Sequence, residues 1–281
     1  MTISGPGTID DLVHDAALVG YVVTRRLVHD WVSLGLLDKP QRRRTGPHGS
    51  EKALHSACQR RIFLMLLQAR GETRRIPLLA RIPLAVWMYG DNGCVPTRQA
   101  LRALATHVGD PRGSRAQALE TARWLTLPLD DSRLGTLRAR REFLHCVRDA
   151  LYTGSLDRER LLAKALPLFE PPELHREVVR SRGATAAATP ETLIFELKIK
   201  LLAGSVVAAG DASEAHLEVV RELWNSLPSV KASDGGAHSL HSIDAQPTPQ
   251  QIATCGSSIL FGLGSLLIKQ QSEETGPAPP R

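Results

Sequence analysis

The sequence predicts a mainly α-helical protein, with an N-terminal winged helix-turn-helix followed by an all-helical C-terminal domain. Three observations lead there. Hydrophobic residues make up 42% of the chain but aromatics only 4%, so the core is built from Leu, Val, Ile and Ala. Long Leu/Ala/Arg-rich segments favour helix, and alternating β-branched runs are scarce. Near the N-terminus two short helical patterns are followed by a Pro/Gly-rich turn that carries three consecutive arginines, "QRRRTGPHGS". At 281 residues the chain has room for one large domain or two smaller ones.

The formal net charge is +6, and its placement is more informative than its size. Residues 1–81 hold thirteen Lys and Arg against seven Asp and Glu, whereas the remaining 200 residues hold twenty-two of each. Between 39 and 75 there are ten basic residues against Glu51 and Glu72. An excess confined to one segment is the electrostatic footprint of a nucleic-acid binder; a solvated basic face is the plainer reading of any such cluster. Cys58, Cys94, Cys146 and Cys255 are far apart, with no CxxC or paired Cys/His spacing. That argues against zinc and for free thiols in a reducing, cytoplasmic setting. The first twenty residues lack the basic and apolar regions of a signal peptide.

Taken in order, "GTIDDLVHDAA" predicts a first helix. Thr8 suits its N-cap, Asp11 stands three residues on in a capping-box position, and Ile9, Leu12, Val13 and Ala16 share one face. "LVGYVV" is a short connection. A second helix runs from about Thr24 to Leu34, capped by Thr24 and stopped by Gly35. Residues 35–50 read as a β-hairpin or wing, with Gly46, Pro47 and Gly49 supplying turn chemistry. From about Glu51 to Arg70 a third helix is expected, with Leu54, Cys58, Ile62, Met65 and Leu66 at helical spacing. Pro77 and Pro83 then mark a boundary, giving a domain over 1–72 and a helical domain over 73–227. Within the latter, helices are expected near 96–108, 114–126, 132–152, 156–166, 172–181, 190–208 and 213–226. Ser114, Pro190 and Ser213 mark three of the starts. Residues 228–249 have the composition of a flexible linker, 250–271 form an apolar helix, and 272–281 read as a disordered tail.

The stretch 24–34 carries the functional argument. At 100° per residue, Leu27, Trp31 and Leu34 fall on one side with Val28 flanking, while Arg25, Arg26, His29 and Ser33 fall on the other. One face fixes the helix; the other suits entry into a major groove. Arginine can grip guanine bidentately, and Ser or His can contact bases or phosphates. Thr24 and the helix N-terminus suit a phosphate. On the wing, Arg42, Arg43 and Arg44 would meet the DNA backbone or minor groove and supply affinity more than sequence choice. Lys39, His48 and Lys52 extend the patch, as do Arg60 and Arg61 if their face of the third helix points that way.

These residues, "VTRRLVHDWVSLGLLDKPQRR", resemble the N-terminal winged helix-turn-helix of MerR-type transcriptional regulators. The match covers about residues 8–70 and rests on Val23 and Thr24, aromatic Trp31, "GLL" at 35–37, Pro40 and the arginines after it. The resemblance implies a homodimer that binds palindromic double-stranded DNA. The C-terminal domain is then a helical dimerisation domain, an effector domain that takes a small molecule, or a platform for a protein partner. No cofactor and no catalytic residue is implied.

Other features point elsewhere less specifically. "VPTRQALRALATHVGDPRGSRAQALETARWL" reads as a basic helical hairpin or as a second helix-turn-helix in which Arg98, Arg102, Arg112, Arg115 and Arg123 touch DNA. His145–Cys146 are adjacent on a helix and so diverge, which is poor geometry for a nucleophile and its base. Trp87, Trp124, Trp224, Tyr89 and Tyr152 suit core packing or a ligand pocket. "ELHRE" (173–177) and "EAHLE" (214–218) lack metalloprotease spacing, and there is no Walker A loop or GxGxxG turn. The chain therefore reads as non-enzymatic. A second reading starts from 252–268, seventeen residues without charge. That segment is either a docked or oligomerising helix or a membrane or interfacial anchor. It allows an interaction or architectural protein, serving excision, segregation or nucleoid organisation, whose helical domain is the docking platform.

Overall fold

A computed structural model describes residues 3, 5–42, 52–90, 93–131, 135–170, 189–226 and 247–274. It is mainly helical, and among these residues there is no named strand, only two isolated antiparallel bridges. The elements are α1 (Ile9–Leu18), α2 (Arg25–Ser33), α3 (Ala57–Glu72), α4 (Ile76–Leu79), α5 (Arg81–Tyr89) and α6 (Thr97–Val108). They continue with α7 (Arg115–Asp131), α8 (Leu137–Thr153), α9 (Arg158–Ala165) and a 3-10 turn over Leu166–Phe169. The last are α10 (Pro190–Ala209), α11 (Glu214–Ser226) and α12 (Pro249–Glu274). The helix expected at 172–181 and the 275–281 part of the tail lie outside the described residues, as does most of the expected linker.

The chain divides into two compact units: Met1–His107 with Gly210–Ile259, and Val108–Ala209 with Leu260–Arg281. The sequence placed a boundary near 72, whereas the first unit runs on through α6. The reason is the apolar run 82–88, in which Ile82, Leu84, Ala85, Val86, Trp87 and Met88 are all buried beside α3. The prolines mark a break between two short helices rather than an exit from the core: Pro77 occupies the first turn of α4, where its missing N–H costs nothing.

Local chemistry sets most helix ends. The Thr8 backbone N–H donates to the Asp11 carboxylate at 2.6 Å and Asp11 N–H donates back to Thr8 Oγ1, completing the capping box. Ser114, Ser213 and Thr189 accept from the backbone N–H three residues on, starting α7, α11 and α10. α2 ends where Gly35 adopts φ +73°, and Leu36 N–H returns to Trp31 O at 2.9 Å.

Two expectations are corrected. The third helix begins at Ala57, capped by Ser56, and not near Glu51. Residues 54 and 55 are extended instead: Leu54 exchanges both backbone hydrogen bonds with Gln41 at 2.9 and 2.8 Å, and His55 does the same with Gly7. Helical spacing alone favoured Leu54, but tertiary pairing of the backbone outweighs so weak a local preference. Cys58 and Cys94 are not free thiols. They form a disulfide with Cα atoms 5.3 Å apart, brought together because the turn before α6 lies against the start of α3.

The core of the first unit starts from Leu12 and Ala16 of α1, Val28 and Trp31 of α2, and Ile62, Phe63 and Leu66 of α3. Trp31 meets Phe63 edge-on at 5.5 Å, a geometry worth about 0.5–1.5 kcal/mol beyond area burial. α11 returns to this unit, where Arg221 stacks 5.4 Å over Trp87 and donates to Gly90 O. The second unit centres on Phe143, Val147, Leu161 and Leu168. In it Gly264 of α12 lies so close to α10 that a Cβ there would stand 2.2 Å from Ile199 O. Along α12, Cys255 and Ile259 are buried in the first unit and Leu260 and Leu263 in the second, although the helix is long and apolar enough to cross a membrane.

Candidate nucleic-acid interface

The Thr24 hydroxyl accepts from Leu27 N–H at 3.3 Å and fixes where α2 begins. That register buries Val28 and Trp31 fully and leaves Leu27 and Leu34 half-buried. The apolar stripe is thus rotated from the Leu27/Trp31/Leu34 line expected, because the Trp31–Phe63 contact pulls the Val28/Trp31 pair inward. The other face stands as expected: Arg25, Arg26, His29 and Ser33 are all exposed.

These side chains are not equally available. Arg25 Nη2 is 2.5 Å from Asp10 Oδ1, and Lys52 Nζ is 3.7 Å from Asp10 Oδ2. Asp10 therefore joins α2 to the chain just before the Leu54 bridge. Arg26 is 90% exposed and only loosely paired, 4.0 Å from Asp30. Ser33 Oγ donates to Asp30 O at 2.7 Å, so its proton is spent on its own helix while its lone pairs stay outward. Lys39 and Arg42 are exposed. Arg43, Arg44 and His48 lie outside the described residues.

The Gln41–Leu54 bridge holds both ends of the segment 42–53 side by side. Beneath it His55 is buried; desolvation, with His29 nearby, lowers its pKa against the opposing pull of Asp38. Beside it lies a polar hub. Asp38 is 5% exposed and accepts from Arg98 at 2.6 and 3.1 Å and from Arg102 at 3.5 Å. Gln59 Oε1 accepts from Asp38 N–H at 2.8 Å, while its Nε2 donates to Cys94 O and to Gln99 Oε1. Gln99 donates to Leu36 O, and the Thr106 hydroxyl donates to Leu34 O. α6 thereby holds Leu34, Leu36 and Asp38 of the link that follows α2.

Several expected contacts are corrected by this packing. Arg60 is no part of an outer patch: it donates twice to buried Asp15, at 2.8 and 2.9 Å, and once to Gly5 O. Arg61 is half-buried. Arg98 and Arg102 are spent on Asp38 and Val32 O, Arg115 stacks over Tyr152, and Arg123 pairs with Glu120. Within 96–126, Arg98, Arg102, Arg115 and Arg123 each thus have a partner in the protein itself. His216 accepts from Ser213 N–H and acts as a cap. Burial pushes the Cys146 thiol up, and His145 turns to Arg148. Among the described residues no group of three or more His, Cys, Asp and Glu is arranged to hold a metal.

Sequence reasoning missed the acidic partners. Asp10, Asp15 and Asp38 are 15, 45 and 60 residues from the cations they bind, as residue numbers show. No local spacing signals such pairs. Compared with protein-family models, curated proteins and solved structures, the chain matches none of them.

Proposed function

We propose that the chain is a sequence-specific double-stranded DNA-binding protein, a transcriptional regulator of MerR-like type that works as a homodimer. The observation that carries this reading is the outward face of α2. Arg25, Arg26, His29 and Ser33 stand exposed on a helix whose opposite face is locked by Val28 and Trp31. The closed Gln41–Leu54 bridge stands beside it and begins a segment bearing Arg42, Arg43 and Arg44. In this reading the bridges are the foot of a wing. α2 enters the major groove, Arg25 and Arg26 read bases, and the Thr24 end of the helix approaches a phosphate. Lys39, Lys52 and the three arginines neutralise backbone charge. No catalytic step is involved.

Genome-wide mapping of bound DNA, followed by footprinting, tests the reading. A footprint with two half-sites one helical turn apart is expected. Arg25→Ala or Arg26→Ala should relax sequence preference, whereas replacing Arg42–Arg44 by alanine should weaken all duplexes and flatten the salt slope. Failure to retain any duplex at low salt refutes it.

α12 favours a second reading, an interaction or architectural protein. It is long and apolar enough to cross a membrane, and Phe261 is exposed on it. Cell fractionation separates the two: recovery only at the membrane or only in a hetero-complex favours the second.

A further inference from the structure

We propose that Cys58 and Cys94 form a reversible thiol–disulfide device that sets how firmly the wing side of the interface is held. Its output rests on the DNA-binding reading; the bond and its local effect do not.

Cys58 is the second residue of α3, and Cys94 lies in the turn that leads into α6. Both are partly exposed, so a small oxidant or reductant can reach them. The other cysteines, Cys146 and Cys255, are buried thiols, and burial pushes Cys255 up to about 12. A thiol held protonated is a poor nucleophile. The protein is therefore no fully oxidised scaffold; it has one reachable pair and two inert thiols.

The position of the bond gives it something to control. The neighbour of Cys58, Gln59, donates to the carbonyl of Cys94 at 2.9 Å and accepts from Asp38 N–H at 2.8 Å. Four and five residues beyond Cys94, Arg98 and Gln99 reach Asp38 and Leu36 O. The sulfur bridge and one glutamine side chain thus tie the same α3–α6 junction, and that junction holds residues 36–38 between α2 and the Gln41–Leu54 bridge. With the bond intact, the start of α6 is covalently fixed and its clamp on Asp38 is pre-ordered. With the bond open, Gln59 holds it alone, and the clamp opens more often.

The chemistry balances with a hydroperoxide as oxidant. One thiolate attacks the peroxide oxygen, breaking O–O and giving a sulfenic acid and the alcohol or water. The second thiol then attacks that sulfur, forming S–S and releasing water. The thiols lose two electrons and the peroxide gains them. A dithiol reverses the step by exchange through a mixed disulfide and is itself oxidised to its disulfide.

The test uses the full chain, treated with hydrogen peroxide or with dithiothreitol and then freed of reagent. Thiols are counted after unfolding without reductant. Two are expected in the peroxide-treated protein and four in the reduced one. Hydrogen exchange, measured without DNA, should rise on reduction in 36–42 and 97–106 but not in α8. Duplex affinity, read by anisotropy, should fall severalfold on reduction. The Cys58→Ser/Cys94→Ser variant should match the reduced protein under both treatments, while Cys146→Ser should behave like the parent. Four thiols after peroxide, or equal exchange in both forms, overturns the device. Equal DNA affinity in both forms overturns its output. If exchange responds but neither form binds any duplex, the DNA-binding reading fails and the local switch stands.

Discussion

Replacing Asp10 by Asn should strengthen DNA binding while slightly weakening the fold. Asp10 neutralises Arg25 at 2.5 Å and Lys52 at 3.7 Å, both cations assigned to the duplex. A base edge must compete with this carboxylate for Arg25, and a phosphate for Lys52. Asparagine keeps the size and removes the charge. The ion pairs are largely exposed, so each contributes roughly 0.2–1 kcal/mol after solvent screening, and stability should drop by no more than about 2 kcal/mol. DNA binding responds differently, because each cation newly free to neutralise a phosphate steepens the slope of log K against log salt by about 0.9. Lys52 alone steepens it by about 0.9, and the ratio of affinities between about 50 and 200 mM salt then widens roughly threefold, while Arg25 is freed for a base. Anisotropy titrations over that salt range on one duplex measure the slope directly. If Asp10→Asn and the parent share the same slope and affinity, Lys52 meets no phosphate and Arg25 no base, and the proposed docking of α2 is wrong.

Three further outcomes concern the fold. Gly35→Ala should lower stability by at least about 2 kcal/mol, combining left-handed strain with a clash. Its φ is +73°, and a Cβ there would stand 2.6 Å from Ala103 N and Arg102 Cβ; thermal melts check this. His107 is pushed down to about 4, first by burial and then by the Arg81 charge, while Nδ1–H donating to Pro77 O opposes the shift. The unfolded state therefore takes up that proton first as pH falls below about 6.5. His107 should cost about 2 kcal/mol of stability by pH 5 as pH falls from 6.5 towards 4, and denaturant titrations of His107→Gln should show a decline smaller by that amount, buried His55 supplying part of the rest. Gly264→Leu should drive α12 from α10, since even a Cβ would meet Ile199 O at 2.2 Å, and hydrogen exchange in 260–274 should rise sharply.

What could be read in advance was local chemistry. Thr8, Thr24, Ser114 and Ser213 each cap the helix their sequence context announces, because a cap needs only a hydroxyl and the next turn. The exposed set on α2 was legible for the same reason: helical period alone sorts Arg25 and Arg26 from Trp31. The orientation of that helix was not, since it depends on Phe63, thirty-two residues on. Nor was the start of α3, where backbone pairing with Gly7 and Gln41 holds Leu54 and His55 extended. The Cys58–Cys94 bond, the Arg60–Asp15 brace and the Asp38 hub join residues 21 to 64 positions apart. Such pairs are chosen by the assembled fold, and composition or spacing carries no trace of them.

The return of 210–259 to the N-terminal unit has a consequence for synthesis. Trp87, fully buried, is covered by Arg221, a partner made 134 residues after it, as the numbers show. At roughly 5–20 residues per second, α5 waits on the order of 7–27 s at the ribosome before α11 exists to cover it. During that wait the face of Trp87 that Arg221 covers is exposed. The second-unit stretch 108–209 is made in the interval, and it in turn waits for Leu260 onward to complete it. A truncation that stops before Gly210 would leave the N-terminal helices in that unfinished state permanently, a natural client for a chaperone.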